Sequence, residues 1–400
     1  MASTATATAV PAPRLNRTLD YRVSLTLAVI ALIFGAYGVF RVLVFKEHGA
    51  LTSYVPWGLW VGVYVFLVWL EVGMILTYFL LRRFLRIEGL RLLAPVAMLA
   101  AISALLGALF VIGMDLGHPF RFWKAYLQPN FGSLMSWMIW LHTLYLGILT
   151  AELFAYFRGK VYVDRWKIYL NFLTYISIPI GVLLIAVIGG LFGVVAARPF
   201  WNASVLPLMF FIASLVAGLG LLTLLHLLFS PTRGTPQYET TAIQMARVFL
   251  GAIVIGMIAS LANGLVIAYP NVPAYAEGLK LVLFGPYWWT IWIVHLGIGV
   301  LVPLVLLSIW RTRLWAIGTA SVCYLVGFTM VPVNIIIPGL AYPMPTMEGI
   351  KDAFYHSKLT FDYTPMFMEW QVVVFAVGIS LLVFTVGYRY IVEPYLREHH

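Results

Sequence analysis

The chain has one cysteine in 400 residues, Cys323, set inside an apolar run. A single thiol excludes a disulfide framework, a cysteine-ligated iron–sulfur cluster and a zinc site built on cysteines. Its plain reading is a small buried hydrophobe. Charge is also scarce. Asp, Glu, Lys and Arg make up 10% of the residues, against about 25% in soluble domains. Neither GxGxxG nor a GxxxxGK loop followed by Ser or Thr occurs, so no phosphate-cradling glycine loop is present. The ten-residue segments of alternating polarity that a membrane β-barrel requires are missing as well.

What is abundant is apolar length. Hydrophobic residues make up 62% of the chain. They gather into ten runs, about residues 23–44, 57–81, 93–114, 135–157, 169–193, 205–229, 243–268, 287–310, 314–336 and 366–389. At about 1.5 Å per residue each run crosses a hydrocarbon core of about 30 Å. The expected fold class is an all-α integral membrane protein with about ten transmembrane helices. The first run follows a polar leader and is too long for a signal-peptide core, so it reads as a retained span. A weak internal match pairs Ser136-Trp-Met-Ile-Trp-Leu-His142 with Trp288-Trp-Thr-Ile-Trp-Ile-Val-His295. It divides the chain into a tail over 1–22, a peripheral helix over 23–44, a four-helix unit over 45–203 (spans 2–5) and a second over 204–340 (spans 6–9). A loop, a last helix and a tail fill 341–400.

The formal charge of +10 would suggest nucleic acid in a soluble chain. Here it tracks the connections between spans. Arg82, Arg83, Arg86 and Arg91, then Arg158, Lys160, Arg165 and Lys167, then Arg233, Arg247, Arg311 and Arg313 fall on the side that carries both termini. The opposite side has far fewer cations, which places both termini in the cytoplasm of a multi-pass inner-membrane protein. The extracytoplasmic connections are long, aromatic and proline-rich, Asp115–Trp137 above all, as a partner surface would be.

Ionisable side chains inside spans cost roughly 2.5–3.5 kcal/mol at mid-helix, which makes each one a functional candidate. In span 2, Trp60, Tyr64 and Glu71 share one helix face at 100° per residue, with Trp57 at its mouth. Such a face suits an aromatic ligand above a proton-accepting group; a structural hydrogen bond from Glu71 is the plainer alternative. Span 4 holds His142 and Glu152, span 6 His226 and span 8 His295. Paired histidines can ligate haem, but these differ in depth, and interhelical hydrogen bonds account for them more simply. Beyond span 3, Asp115, His118 and Arg121 set a carboxylate, an imidazole and a guanidinium close together, followed by Trp123. The set can hydrogen-bond a polar head group and exchange protons with water, or hold a loop through an Asp–Arg pair. Arg198, before Pro199-Phe-Trp201-Asn202, repeats the theme after span 5. No metal site is expected.

An ordered set of motifs runs through residues 56–370: Pro56-Trp-Gly-Leu-Trp60, Asp115-Leu-Gly-His-Pro-Phe-Arg121, Pro129-Asn-Phe-Gly-Ser-Leu-Met-Ser-Trp137, Arg198-Pro-Phe-Trp-Asn202, Asn334-Ile-Ile-Ile-Pro-Gly339, and Tyr363-Thr-Pro365 before Glu369-Trp370. In these the chain resembles the NrfD/polysulfide-reductase membrane-subunit family, in its longer ten-helix branch. The resemblance implies a quinone-binding anchor (menaquinone or ubiquinone) of a respiratory oxidoreductase, with no haem or iron–sulfur cluster of its own. Its implied partners are an extracytoplasmic ferredoxin-like subunit with several iron–sulfur clusters and a catalytic subunit of molybdopterin or hydrogenase type. On that expectation Asp115 or His118 takes the quinol protons and Arg121 stabilises negative charge on a ring oxygen. Trp57, Trp60 and Trp123 wall the ring, Tyr64 and Arg198 complete the site, and Glu71, His142 and Glu152 form an inward proton relay. Where shorter members carry a histidine and an asparagine on the helix matching span 2, this chain has Tyr64 and Val61; His118 stands where the family's Asp-x-Gly-Arg has its arginine. The alternative is a proton-coupled secondary transporter using Glu71 or His295. That class breaks its spans near the midplane, whereas the prolines here crowd the outer ends, apart from Pro303 and Pro332.

Overall fold

The computed structural model describes residues 21–158, 165–269, 273–342 and 359–398. Nearly all of the expected 1–22 tail, and most of the loop after residue 341, lie outside the described residues. Among the described residues there are helices and no strands. Ten helices among the described residues are long and apolar enough to cross a membrane, as the ten apolar runs lead one to expect.

In chain order the described helices are α1 (Tyr21–Phe45), α2 (Leu59–Arg83), α3 (Ala94–Asp115, entered through a 3₁₀ turn), the short α4 (Lys124–Leu127), α5 (Leu134–Arg158), α6 (Arg165–Gly193), α7 (Leu206–Phe229), α8 (Pro236–Ala268) and α9 (Pro273–Leu283), the last too short to span. A π-helical stretch, Thr290–Leu301, then runs into α10 (Val302–Trp310). Helices α11 (Leu314–Phe328), α12 (Met330–Ala341), α13 (Phe367–Gly387) and α14 (Glu393–Glu398) complete the chain. The N-terminus of α2 and the C-terminus of α3 mark one end of the bundle, the aromatic end; Arg82, Arg83 and Arg91 mark the other, basic end.

Helix α2 is the hub. It packs on α3, α6, α7, α12 and α13, and its apolar window is wholly enclosed by protein. Apolar side chains gain nothing by preferring a helix to an acyl chain, so close backbone approach has to supply the attraction. Gly73 and Gly218 permit it: a Cβ on Gly73 would fall on the Ser214 carbonyl, and one on Gly218 on the backbone of Gly73. Small residues recur at the other contacts. On α1 the buried stripe is Ser24, Ala28, Gly35, Gly38 and Val42, laid against α13. On α3, Ala97, Ala101, Ala104 and Ala108 are buried where α2 and α13 close in.

Four local features depart from the expected runs, the first three for a readable reason. Helix α8 starts at Pro236 rather than near 243, because Thr235 caps it, its Oγ1 accepting from the Tyr238 N–H at 3.3 Å, with proline in the first turn. Span 9 breaks at Thr329 into α11 and α12; Pro332 has no N–H for the Phe328 carbonyl and its ring crowds it. The two matched segments also differ in form, since His142 lies on regular α-helix and His295 on the π-helical stretch. The second segment has one more residue between its tryptophan and histidine, and π-helix is how a helix absorbs such an insertion. In the connection before it, α9 forms where only a loop was expected.

Candidate functional site

At the aromatic end, α2 begins after Pro56-Trp57-Gly58 with no side-chain cap of its own. Its first N–H, on Leu59, donates to Tyr363 Oη at 2.8 Å. The Tyr363 O–H donates in turn to Glu369 Oε2 at 2.8 Å. Trp60 is 2% exposed, and its indole N–H donates to the Glu369 carbonyl oxygen at 3.1 Å. Asp115 closes α3 beside this group, within electrostatic reach of Glu369 and Tyr363. Its Oδ1 is buried without a hydrogen-bond partner. Tyr287 braces the same corner by donating to the Tyr363 carbonyl at 2.7 Å. Burial pushes its phenol up to about 12, so it remains a donor.

A polar column continues inward from Trp60. Tyr64, one turn deeper, sets its hydroxyl 3.4 Å from His142 Nε2. Glu71 follows about 16 Å below Trp60 along the α2 axis. It is fully buried, and neither carboxyl oxygen has a partner. It lies within electrostatic reach of Tyr64 and Tyr145, and Tyr145 within reach of Glu152, whose Oε1 accepts from Ser177 Oγ at 3.1 Å. Near the basic end Tyr78 approaches Tyr156, Arg82 and Arg91. An unmatched buried polar group costs about 1–3 kcal/mol. In a membrane interior such a group is a functional candidate by default.

The other expected site residues stand apart from this core. His118, Arg121 and Trp123 are exposed, with Lys124 Nζ 5.8 Å from the Trp123 ring centroid. Phe120 is 80% and Leu127 72% exposed, so the strip presents an aromatic, basic surface. Trp57 stacks on Trp201 at 5.9 Å on the flank facing α6 and α7. Arg198 is occupied by backbone carbonyls, those of Leu340 at 3.1 Å and of Tyr342 and Tyr54 at 3.4 Å each. Trp60 and Tyr64 stand one turn apart on α2, and Trp60 and Asp115 both meet Glu369, the first through its N–H and the second within electrostatic reach, while Trp57 and Arg198 brace the flank. His226 faces the Tyr238 carbonyl oxygen at 3.1 Å, and His295 packs edge-on to Phe328. Among the described residues no group of three or more His, Cys, Asp or Glu is placed to hold a metal ion.

Two residues of this corner were absent from the expected site, Glu369 and Tyr363. The available signals were an acidic residue at the third position of an apolar helix and a Tyr-x-Pro just before it. Tyr145 and Ser177, which extend the column, carried no comparable signal.

The sequence model of the family described as Polysulphide reductase, NrfD matches residues 49–343. The chain is 29% identical to a subunit of the selenate reductase of Mesobacillus selenatarsenatis, over 85% of this chain and 86% of that one. It is 24% identical to the Hdr-like menaquinol oxidoreductase integral membrane subunit of Archaeoglobus fulgidus, over 90% of each. A further relative, the menaquinone reductase integral membrane subunit of Nitratidesulfovibrio vulgaris, is 24% identical over 90% of this chain and 88% of its own.

Proposed function

The chain belongs to the polysulphide reductase NrfD family, and on that premise we propose that it is the quinone-reactive membrane anchor of an oxidoreductase complex. It passes electrons between the quinone pool and an iron–sulfur subunit docked at the aromatic end. The observation that carries this reading is the Glu369 corner, where the buried Trp60 indole is fixed through its N–H to the Glu369 carbonyl and Asp115, with an unpartnered carboxyl oxygen, lies within electrostatic reach of the same residue. The relatives named as menaquinol oxidoreductase and menaquinone reductase membrane subunits support the ligand class. The selenate reductase and menaquinone reductase relatives, each named as a subunit, support the existence of partner chains.

Quinol oxidation releases two electrons and two protons, and iron–sulfur clusters accept only the electrons. A proton acceptor must therefore stand within hydrogen-bond reach of a ring oxygen. Asp115 suits that task because Oδ1 has no bond to give up. His118, exposed beyond the helix end, exchanges the proton with water. Trp60 walls the ring and Tyr64 lies beneath it, while Trp57 and Arg198 hold the flank rigid. Arg121 and Trp123, with Phe120 and Leu127, face the docking subunit, a ferredoxin-like protein with several clusters bound to a molybdopterin or hydrogenase-type catalytic chain. The aromatic end is then extracytoplasmic and both termini cytoplasmic, as the distribution of Lys and Arg supports. Tyr64–His142, Glu71, Tyr145 and Glu152–Ser177 form a proton relay towards the basic end. The contacts α2–α3–α5–α6 and α7–α8–α10–α11 each return to their first helix, in support of two four-helix units.

The test is to isolate the complex from its membrane, extract it for quinone and follow quinol-driven reduction of its iron–sulfur partner. The expected result is bound quinone and a rate that Asp115→Asn reduces with assembly intact. A complex with no quinone and no quinol-dependent electron transfer would sink the reading.

A further inference from the structure

Glu369 is the third residue of α13 and 1% exposed, and no ion pair engages it among the described residues. Three groups converge on its carboxyl. Oε1 accepts from the Ala50 N–H at 2.9 Å; Oε2 accepts from the Tyr363 O–H at 2.8 Å and the Met366 N–H at 3.2 Å. The two amides can only donate. Tyr363 Oη already accepts from the Leu59 N–H, which leaves its own hydrogen for Glu369. Every hydrogen in the cluster is matched when Glu369 is a carboxylate, and the first turn of α13 turns its amides towards that charge.

The backbone around it is cleared of side chains. A Cβ on Gly49, which sits at φ +68°, would fall on Glu369 Oε1, and one on Gly58 would fall on Tyr363 Oη. Glu369 thereby ties the connection between α1 and α2 (Ala50), the first turn of α2 (through Tyr363 to Leu59) and, by its carbonyl, the Trp60 indole. These joints link positions more than 300 residues apart. Asp115, with its unpaired Oδ1, lies within reach of the same charge.

We propose that Glu369 is the positioning residue of the quinol site: a fixed carboxylate that, with Tyr363, anchors the first turn of α13, whose backbone carbonyl at Glu369 receives the Trp60 indole N–H and sets it as the ring wall, and that keeps negative charge beside Asp115, where the departing proton is drawn. This rests on the quinone reading given above. Glu369 does not touch the ring, because its carboxyl is buried among the Ala50, Tyr363 and Met366 donors. It acts through Trp60 and through the field at Asp115.

The test uses the assembled complex and two readouts. One is binding of a fluorescent quinol-analogue inhibitor, a hydroxyquinoline N-oxide, followed by quenching. The other is quinol-driven electron transfer to the partner. Glu369→Gln keeps the shape and removes the charge. The expected result is inhibitor binding within about threefold of wild type and a kcat lowered about tenfold or more, with KM changed less. Glu369→Asp, which restores a carboxylate, recovers part of kcat, and Tyr363→Phe lowers it by less than Glu369→Gln. Wild-type turnover in Glu369→Gln would overturn the inference. So would parallel loss of inhibitor binding and subunit association in Gln and Asp variants alike, which is the behaviour of a purely structural joint. A wild-type complex that neither binds the inhibitor nor oxidises quinol would remove the quinone reading, and this inference with it.

Discussion

Tyr64 on α2 faces His142 on α5, phenol oxygen to Nε2, at 3.4 Å. His142 Nδ1 lies 2.9 Å from the Met138 carbonyl oxygen, so Nδ1 carries the hydrogen and Nε2 is left to accept. The phenol is therefore the donor, and its hydrogen points along the column rather than to the surface.

Replacing Tyr64 by Phe removes that donor and strands the imidazole nitrogen. The expected cost is about 1 kcal/mol of stability, read as a small fall in Tm in detergent. Quinol-driven turnover should fall about tenfold, the loss of one well-placed hydrogen bond to a reacting group or its relay. Unchanged turnover would take Tyr64 out of the site.

Glu71 is the costliest residue of the column, fully buried with both oxygens unpaired. Glu71→Gln keeps its volume and abolishes its proton exchange. Stability should stay within about 1 kcal/mol or rise. In proteoliposomes the protons moved per electron should drop while electron transfer with an uncoupler persists. An unaltered proton yield would leave Glu71 a structural residue.

The α2–α7 crossing allows no side chain at Gly73 or Gly218. Gly218→Ala should cost at least the roughly 1–3 kcal/mol typical of overpacking, because the added carbon meets backbone rather than a movable side chain. Gly251→Ala on α8, where nothing lies within 4 Å of the added carbon, should be neutral. Thermal unfolding of the two variants side by side checks the contrast.

Arg198 spends its guanidinium on three carbonyl oxygens from two other segments. Arg198→Gln should cost about 1.5–3 kcal/mol, the range for hydrogen bonds to a charged group. Arg198→Lys should rescue little, since an ammonium cannot reproduce the planar fork. Inhibitor binding should weaken only as far as Tm falls; a selective loss of binding at unchanged Tm would instead place the guanidinium against the ligand.

The spans were legible because bilayer thickness and helical rise impose a length that apolar composition alone reports. The Trp60–Tyr64–Glu71 face was legible for the same kind of reason, as a helical period is local. The start of α8 at Thr235–Pro236 and the break before Pro332 were also written in local chemistry, though hydropathy passed over them. Arg198 shows the limit. Its charge and aromatic neighbours read as a ligand contact, and packing engaged it with carbonyls that no linear pattern names.

Taken alone, the amino-acid order determined an all-helical membrane chain, its ten spans, its basic and aromatic ends, and a polar strip closing span 3. Those properties depend on each residue's own transfer energy and on neighbours within a turn or two. Tertiary structure alone decided that α2 would be enclosed, that Glu369 and Tyr363 would cap it from the far end of the chain, and that Asp115 would keep an open oxygen beside them. Such pairings depend on which backbones approach closely enough, at Gly49, Gly58, Gly73 and Gly218, for distant donors and acceptors to meet.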